Sequence, residues 1–295
     1  MNRVYIYIIV LFFFSCTETK KNAPPKNILS DSTSYYLELY NNPKLNDNEK
    51  YILNKKMFNY ILSVKNSKKN REFIDKVILN YYELGNYKDY FIASKKLLSY
   101  SVEEKDSISI AKSYRYFGNY YYNNQLLDSS YIFYIKAGKI YNSLKKREEY
   151  AKMLLNQGIV KYNINDFLGA EITLKESYNI YKTTNDKQNI YGVLNQLGLV
   201  LSDLNEYKSA EDYYKKILEI TNEKEFNKFH EKSVCYNNLG YLYIKQGKYN
   251  EAILNLYKGL DDNLVKKEDP QLYSLLIDNL AYSRLKLGLY KNLPM

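Results

Sequence analysis

The sequence predicts an all-α chain built from stacked antiparallel helix pairs, and three observations support this fold class. One small or apolar position recurs about every 40 residues, at Ile78, Gly118, Gly158, Gly198, Gly240 and Ala281. Apolar residues recur three and four positions apart, as a helix requires, whereas strand-like alternation is scarce. Five prolines and eleven glycines in 295 residues leave little room for linkers, so we expect the helices to follow one another closely.

The first sixteen residues form a separate segment. Arg3 precedes an uninterrupted apolar run over residues 4–14, which is shorter than the roughly 20 residues that span a bilayer. This arrangement predicts a secretory signal peptide. The pair Ser15-Cys16 resembles the lipobox of bacterial lipoproteins, which implies that Cys16 is lipidated and becomes the mature N-terminus. The alternative is an ordinary secreted protein, or a short signal anchor, whose cysteine is accidental.

Two segments connect this leader to the repeats. Residues 17–30 are polar, contain Lys20-Lys21 and Pro24-Pro25, and lack periodicity, so they predict a flexible tether. Residues 31–70 form a further block of forty residues, with helical patterns over 35–40 and 49–64 on either side of Asn41-Asn42-Pro43. We interpret this block as a degenerate first repeat.

Residues 71–290 contain the clear repeats, which start near residues 71, 111, 151, 191, 233 and 274. A glycine such as Gly240, with Ala252 twelve positions later, lets two helices approach closely, and Gly247 ends the first helix. The last repeat is incomplete and is followed by a tail over 291–295. The predicted packing positions are Gly118, Gly158, Ala170, Gly198, Ala210, Gly240 and Ala252.

This pattern resembles the tetratricopeptide repeat. The period of about 40 residues is closer to the bacterial sensor and kinesin-light-chain branches than to the 34-residue standard. Two departures from the family pattern are Ile78, in place of a glycine, and Gln157, in place of a leucine. The resemblance implies a right-handed superhelical solenoid with a concave groove that is lined by the first helix of each repeat.

The same resemblance implies which side chains face that groove, namely offsets 5, 9 and 12 of each unit. Asn195 and Asn237 recur at one offset, and an amide can both donate to and accept from a peptide backbone. Arg115 and Asn119 are similar to part of a carboxylate clamp, although Ile159 stands where the next asparagine would fall. The alternative is that these side chains only solvate the concave face or contact a neighbouring helix. The ligand-groove candidates are Arg115, Asn119, Tyr122, Tyr162, Asn195, Asn237, Tyr241, Asp278 and Tyr282.

Catalytic and metal-binding patterns are missing from the sequence. It has a single histidine, His230, and a lipidated Cys16 would leave Cys235 without a disulfide partner. Paired-cysteine spacings, phosphate-cradling glycine loops and nucleophile elbows are absent. The net charge of +10 is spread over every repeat rather than gathered in one patch. We therefore expect no enzymatic activity, no cofactor, no metal and no nucleic-acid partner.

These observations predict a non-catalytic scaffold, anchored to the cell envelope by its N-terminal lipid, that recognises a protein or peptide in its groove. The alternative is the sensor part of a longer signalling protein, a transcriptional regulator or histidine kinase whose output domain is missing. A helical glycan-binding lipoprotein is disfavoured because the chain has no tryptophan for sugar stacking. The incomplete last repeat leaves Leu275, Leu276, Leu280, Leu285 and Leu287 without a covering helix, which predicts a partner or self-association there.

Overall fold

The computed structural model describes residues 33–184, 186–222, 229–260 and 264–289, and every regular element in these ranges is an α-helix. The predicted all-α fold of repeated helix pairs is confirmed. The signal segment with Cys16, the tether over 17–30 and the tail over 291–295 lie outside the described residues. Among the helices that are described, none combines the length and the apolar character needed to cross a bilayer.

Fourteen helices follow one another along the described chain. They are α1 Thr33–Tyr40, α2 Asp47–Ser63, α3 Lys68–Glu83, α4 Tyr87–Glu103, α5 Ser107–Asn123, α6 Leu127–Ser143, α7 Arg147–Asn163, α8 Phe167–Thr184, α9 Lys187–Asp203, α10 Tyr207–Asn222, α11 Phe229–Lys245, α12 Tyr249–Leu260, α13 Leu264–Glu268 and α14 Pro270–Lys286. The first helices of the repeats (α3, α5, α7, α9, α11 and α14) begin three or four residues before the starts expected from the sequence. Asp106, Asp186 and Asp269 cap three of these helices and so set where they begin.

Each short link ends one helix and starts the next. Lys105 adopts a left-handed conformation with φ 53°, and the amide of Asp106 donates to the carbonyl oxygen of Ser101 over 2.8 Å, which completes a Schellman C-cap. The Asp106 carboxylate then accepts the amide of Ser109 over 3.1 Å and caps α5. The left-handed residue recurs at Gly85, Gln125, Lys145, Asn165, Asn205, Gly247 and Gly288. With helices of nearly equal length, these links make α4 to α10 begin at intervals of 20 residues.

The described residues form two compact units, residues 33–160 and residues 161–289. In the first unit, two apolar clusters fill the space between the helices, one around Met57, Ile78 and Leu97 and one around Tyr134 and Met153. In the second unit the corresponding clusters surround Tyr191, Tyr214 and Ile217, and then Leu256, Leu272 and Leu276. Each core is therefore spread along a stack of helix pairs, as in a repeat protein.

The recurrent glycines lie where two helices approach closely. A Cβ atom added to Gly198 would lie 2.5 Å from the ring of Tyr214, and one added to Gly240 would lie 2.6 Å from Leu256. A Cβ atom on Gly118 would overlap the ring of Tyr134. In each of these three repeats, the large side chain sixteen residues after the glycine fills the space that a Cβ atom would need. The alanines twelve positions after three of the glycines, Ala170, Ala210 and Ala252, are fully buried.

The last described helix is partly covered. Leu276 and Leu280 of α14 are buried in the cluster that includes Leu256 of α12, so the apolar surface expected there is smaller than the sequence suggested. Leu285 and Leu287 remain exposed.

Candidate functional site

The two asparagines expected to face a ligand are buried in the second unit. Asn195 is 1% exposed, because residues 193–202 of α9 are buried on every side of the helix. Its Oδ1 accepts the amide of Asn238 over 2.8 Å, and Asn237 Oδ1 accepts the amide of Asn279 over 3.0 Å. This placement differs from the expected one. The asparagines join the first helices of successive repeats, and their side-chain oxygens have partners already.

The first unit contains an equivalent link between repeats. Asp75 occupies the position that corresponds to Asn195, and it accepts hydrogen bonds from the Tyr116 hydroxyl and, over 2.7 Å, from the Lys112 ammonium. Arg115 donates to the same Tyr116 hydroxyl over 3.1 Å, while Asn119 accepts from a different tyrosine, Tyr134. Arg115 and Asn119 are therefore each held by a tyrosine of the repeat stack.

The other candidates lie nearer to solvent. Tyr122 is half-buried, Asp278 is exposed, and Tyr282 is half-buried with its ring centroid 6.4 Å from that of Tyr249. Tyr162 and Tyr241 are brought together by a residue that the sequence analysis did not single out, Asp203. The cluster around Asp203 lies in the second unit and adjoins a pocket.

Three donors converge on the Asp203 carboxylate. The Tyr162 hydroxyl donates to Oδ2 over 2.6 Å, and the Lys245 ammonium donates to Oδ1 over 2.7 Å. The Tyr241 hydroxyl lies 3.4 Å from the same Oδ1. Tyr162, Asp203 and Lys245 belong to the last turns of α7, α9 and α11, so the ends of three successive first helices supply this cluster.

Helix geometry explains why these groups belong together. A carboxylate on the last residue of α9 is repelled by the negative end of the helix dipole, whereas Lys245 at the end of α11 lies at a favourable position. The ammonium and the two hydroxyls compensate Asp203, whose side chain is only 13% exposed. The positive charge of Lys245 balances the negative charge of Asp203, so the cluster has no net charge.

The tyrosines of this cluster are neutral donors. Burial, followed by the hydrogen bond to Asp203, raises the pKa of Tyr162 far above its ordinary value. Burial, followed by the charge of Asp203, likewise raises the pKa of Tyr241. Because three donors occupy the carboxylate, it is poorly placed to accept a proton from a substrate.

An open pocket of about 410 Å³ adjoins the cluster and is lined by Tyr162, Asn163, Asn165, Phe167, Asp203 and Lys245. Asn165 is the left-handed residue of the α7–α8 link, which places an exposed amide at the rim. The ring of Phe167 lies 5.6 Å from that of Tyr162, so one wall is aromatic. A cation, two amides and an aromatic wall suit a carboxylate or carbonyl group on an extended ligand.

Sequence reasoning identified Tyr162 and Tyr241 but missed Asp203, Lys245, Asn163 and Asn165. Asp203 and Lys245 stand 42 residues apart, at the residue directly after offset 12 in each repeat. Opposite charges in the same register of neighbouring repeats were the signal that could have revealed the pair.

The histidine and the described cysteine lie apart from the cluster around Asp203. Over these residues no three His, Cys, Asp or Glu side chains lie close enough to hold a metal ion. His230 lies 2.9 Å from Asp269, and this pair joins α11 to the cap of α14. The Cys235 thiol donates to the Tyr214 carbonyl oxygen, and burial raises its pKa, which disfavours a reactive thiolate.

Residues 189–261, which include Asp203 and Lys245, match the family model described as tetratricopeptide repeat. This stretch carries tetratricopeptide repeats. A comparison of the whole chain with curated protein sequences gives no match.

Solved structures show the same tetratricopeptide-repeat fold. BtubC from P. vanneervenii has a TM-score of 0.62 at 15% identity, over 85% of this chain and 96% of that protein. A Rap conjugation gene regulator in complex with a Phr peptide has a TM-score of 0.58 at 13% identity, over 88% of this chain and 70% of that one. A STAND signal-transduction ATPase with a tetratricopeptide repeat sensor, from Pyrococcus horikoshii, has a TM-score of 0.65 at 16% identity. This match covers 88% of the present chain and only 40% of the ATPase.

Proposed function

We propose that this chain is a non-catalytic scaffold that binds a peptide or protein segment, and that the pocket beside Asp203 holds one carboxylate or carbonyl group of that segment. The observation that carries the proposal is the Lys245 ammonium, which lies on the pocket wall with only one of its three donors engaged by Asp203. The remaining donors, with the exposed amide of Asn165, complement an oxygen-rich group.

Two likenesses support a binding role. The Rap regulator with a similar fold was solved with a peptide bound, and the STAND protein carries its repeats as a sensor. Identities of 13% and 16% support a common fold, and the kind of ligand is our proposal. The likeness to the sensor favours a second candidate function, in which these repeats report ligand binding to an output domain of a longer signalling protein.

Anchoring to the cell envelope is part of the proposal. The apolar run over residues 4–14 followed by Ser15-Cys16 supports export and lipidation of Cys16. Cys16→Ser should prevent incorporation of a fatty-acid label and move the protein from the membrane fraction to the soluble fraction. Unchanged labelling and fractionation would exclude lipidation at this cysteine.

Site-directed cross-linking tests the pocket. A photoreactive amino acid in place of Asn165, at the rim, should capture a partner from cell-envelope extract, whereas the same group in place of the exposed Lys76 of the first unit should not. Lys245→Met should abolish the capture because it removes the ammonium. The matched control is Lys248→Met, an exposed lysine three residues later that does not line the pocket.

Thermal unfolding of each variant establishes that it is folded. If a folded Lys245→Met chain captures the same partner as Lys248→Met does, the pocket does not hold the ligand and the assignment is wrong. If the captured partner is a component of a signalling complex, the second candidate function gains support over a stand-alone scaffold.

A further inference from the structure

Three equivalent isoleucines are exposed on the first unit. Ile52 of α2, Ile92 of α4 and Ile132 of α6 are 47%, 44% and 51% exposed, and they stand 40 residues apart. They occupy the same position on the second helix of three successive repeats. A recurring exposed isoleucine at a fixed position differs from apolar residues scattered singly over a surface.

Lysines surround these isoleucines on the same helices. They are Lys55, Lys56, Lys95, Lys96, Lys136 and Lys139. Within the described residues, none of the six forms an ion pair. The segments 52–62, 91–102 and 129–142 contain no aspartate or glutamate. We call the exposed side of α2, α4 and α6, with these isoleucines and lysines, the lysine–isoleucine face.

Helix periodicity places these residues on one side. In α4 the exposed Ile92, Lys95 and Val102 lie within about a third of the helix circumference, at spacings of three and seven residues. Tyr90 and Leu97 lie on the opposite side and are buried in the core of the unit. The exposed side of α4 therefore carries both basic and apolar side chains, whereas the exposed side of an ordinary amphipathic helix is polar.

Two of the lysines at the corresponding positions of the second unit have carboxylate partners. Lys175 and Lys215 there are paired with carboxylates four residues earlier, with Lys175 2.5 Å from Glu171 and Lys215 2.8 Å from Glu211. The exposed aliphatic position itself continues as Ile172 of α8 and Leu254 of α12, which are 69% and 57% exposed, whereas Asp212 takes its place in α10. Lysines without a carboxylate partner are therefore more numerous on the second helices of the first unit than on those of the second unit.

We infer that the lysine–isoleucine face docks on a bilayer surface that contains anionic phospholipids. Lysine side chains next to an anionic leaflet are attracted to it, and an adjacent exposed aliphatic side chain can enter the headgroup region. An acidic protein is less suited to this face because protein–protein interfaces are depleted in lysine and enriched in aromatic residues and arginine. The inference does not depend on lipidation of Cys16 or on the pocket beside Asp203.

Vesicle binding tests this inference with a chain that starts at residue 17, which removes the apolar run over residues 4–14 together with any lipid on Cys16. Affinity is measured by co-sedimentation with phosphatidylcholine vesicles and with vesicles of phosphatidylcholine and phosphatidylglycerol. The test variant is Lys55→Gln with Lys95→Gln and Lys136→Gln. The control variant is Lys175→Gln with Lys215→Gln and Lys258→Gln, which removes three charges at the corresponding positions of the second unit. A third variant, Ile52→Ser with Ile92→Ser and Ile132→Ser, leaves the charge unchanged.

We expect binding to the anionic vesicles only, with weakening at high salt. The test variant should lose about fivefold in affinity per lysine, or about a hundredfold in all, and the control variant should keep the parent affinity. The isoleucine variant should bind more weakly with the same salt dependence.

Three results would overturn the inference. Equal losses in the test and control variants would show attraction by net charge alone. Equal binding to neutral and anionic vesicles would show that lipid charge is irrelevant. Failure to bind vesicles together with binding of polyglutamate would assign the face to an acidic protein and exclude the bilayer.

Discussion

The side-chain amide of Asn238 donates to Oδ1 of Asn195 over 2.8 Å, and this buried hydrogen bond joins α9 to α11 across a repeat boundary. The bond between Asn279 and Asn237 repeats the arrangement at the next boundary, over 3.0 Å. At both boundaries an asparagine of one repeat accepts a hydrogen bond from an asparagine of the next repeat, and this bond fixes how the two first helices are aligned.

Asn195→Ala should destabilise the chain by about 1–3 kcal/mol, because it leaves the Asn238 amide buried without its acceptor. Urea unfolding measures the change. The exposed Asn250→Ala serves as the control and should have little effect. The additional loss from Asn238→Ala in the Asn195→Ala background should be smaller than the loss from Asn238→Ala alone. Additive losses would mean that the two side chains act independently.

Two helix-interior glycines of the first unit should respond in opposite ways to alanine. Gly118→Ala should destabilise by about 1–3 kcal/mol, since its Cβ atom would overlap the ring of Tyr134. Gly138→Ala should be neutral or stabilising by up to about 1 kcal/mol, because its nearest neighbour, the Cβ atom of Met153, would lie 3.4 Å away and alanine favours helix. Midpoints of thermal unfolding compare the two variants. Similar shifts in both would contradict the packing argument.

The left-handed link residues predict a second opposed pair. Gly85 has φ 67° and open space around its Cα atom, so Gly85→Ala should cost about 1 kcal/mol through backbone strain alone. Lys105 adopts φ 53° at the equivalent position of the next link, and Lys105→Gly should relieve its strain and raise the unfolding midpoint. A lower midpoint for Lys105→Gly would show that its side chain stabilises the link by another route.

Acid sensitivity should follow from Asp106. Burial would raise the pKa of its carboxyl, but the amide and hydroxyl of Ser109 and the guanidinium of Arg71 outweigh burial and lower it. A lowered pKa gives stability that is present above the unfolded value, about 3.9, and is lost as the pH falls through the folded value.

The test variant is Asp106→Asn, which retains the helix cap but loses the charge that faces Arg71. It should be less stable than the parent by about 1–3 kcal/mol near neutral pH, and this difference should shrink below about pH 4. Urea unfolding over a pH series measures it. A difference that is independent of pH would show that the charge of Asp106 contributes nothing.

Alkaline unfolding should follow from the buried tyrosines. Burial, with the charges of Glu83 and Asp47, raises the pKa of Tyr40 to about 12, and burial raises the pKa of Tyr116, Tyr134 and Tyr162 further. A raised pKa gives stability that is complete below the unfolded value, about 10, and is lost as the pH rises through the folded value. Tyrosinate absorbance should therefore include a fraction that appears only as the helical circular dichroism is lost. Ionisation of every tyrosine near pH 10 with the helices intact would contradict this.

The repeat architecture could be predicted from the sequence because its signals are local or strictly periodic. Gly118, Gly198 and Gly240 each recur in register with the bulky residue that requires them, and the spacing is set by helices of nearly constant length. The first helices begin three or four residues before the repeat starts predicted from the sequence, because a capping residue such as Asp106 decides where a helix begins.

The candidate site could be predicted only in part. Tyr162 and Tyr241 follow from the groove offsets, but whether a polar residue faces a ligand or another repeat depends on a partner about 40 residues away. Asn195 and Asn237 occupy those offsets and are nevertheless buried, because Asn238 and Asn279 satisfy their amide oxygens.

The sequence by itself determined that helix pairs repeat, where they turn and which small residues lie between them, since each of these features depends on neighbours along one or two helices. The tertiary structure alone decided that Asp203, Lys245, Tyr162 and Tyr241 share one cluster beside a pocket. It also decided that Ile52, Ile92 and Ile132 remain exposed beside lysines for which the described residues provide no ion pair. Burial and charge pairing depend on which helices pack together, and that information is distributed over residues far apart in the chain.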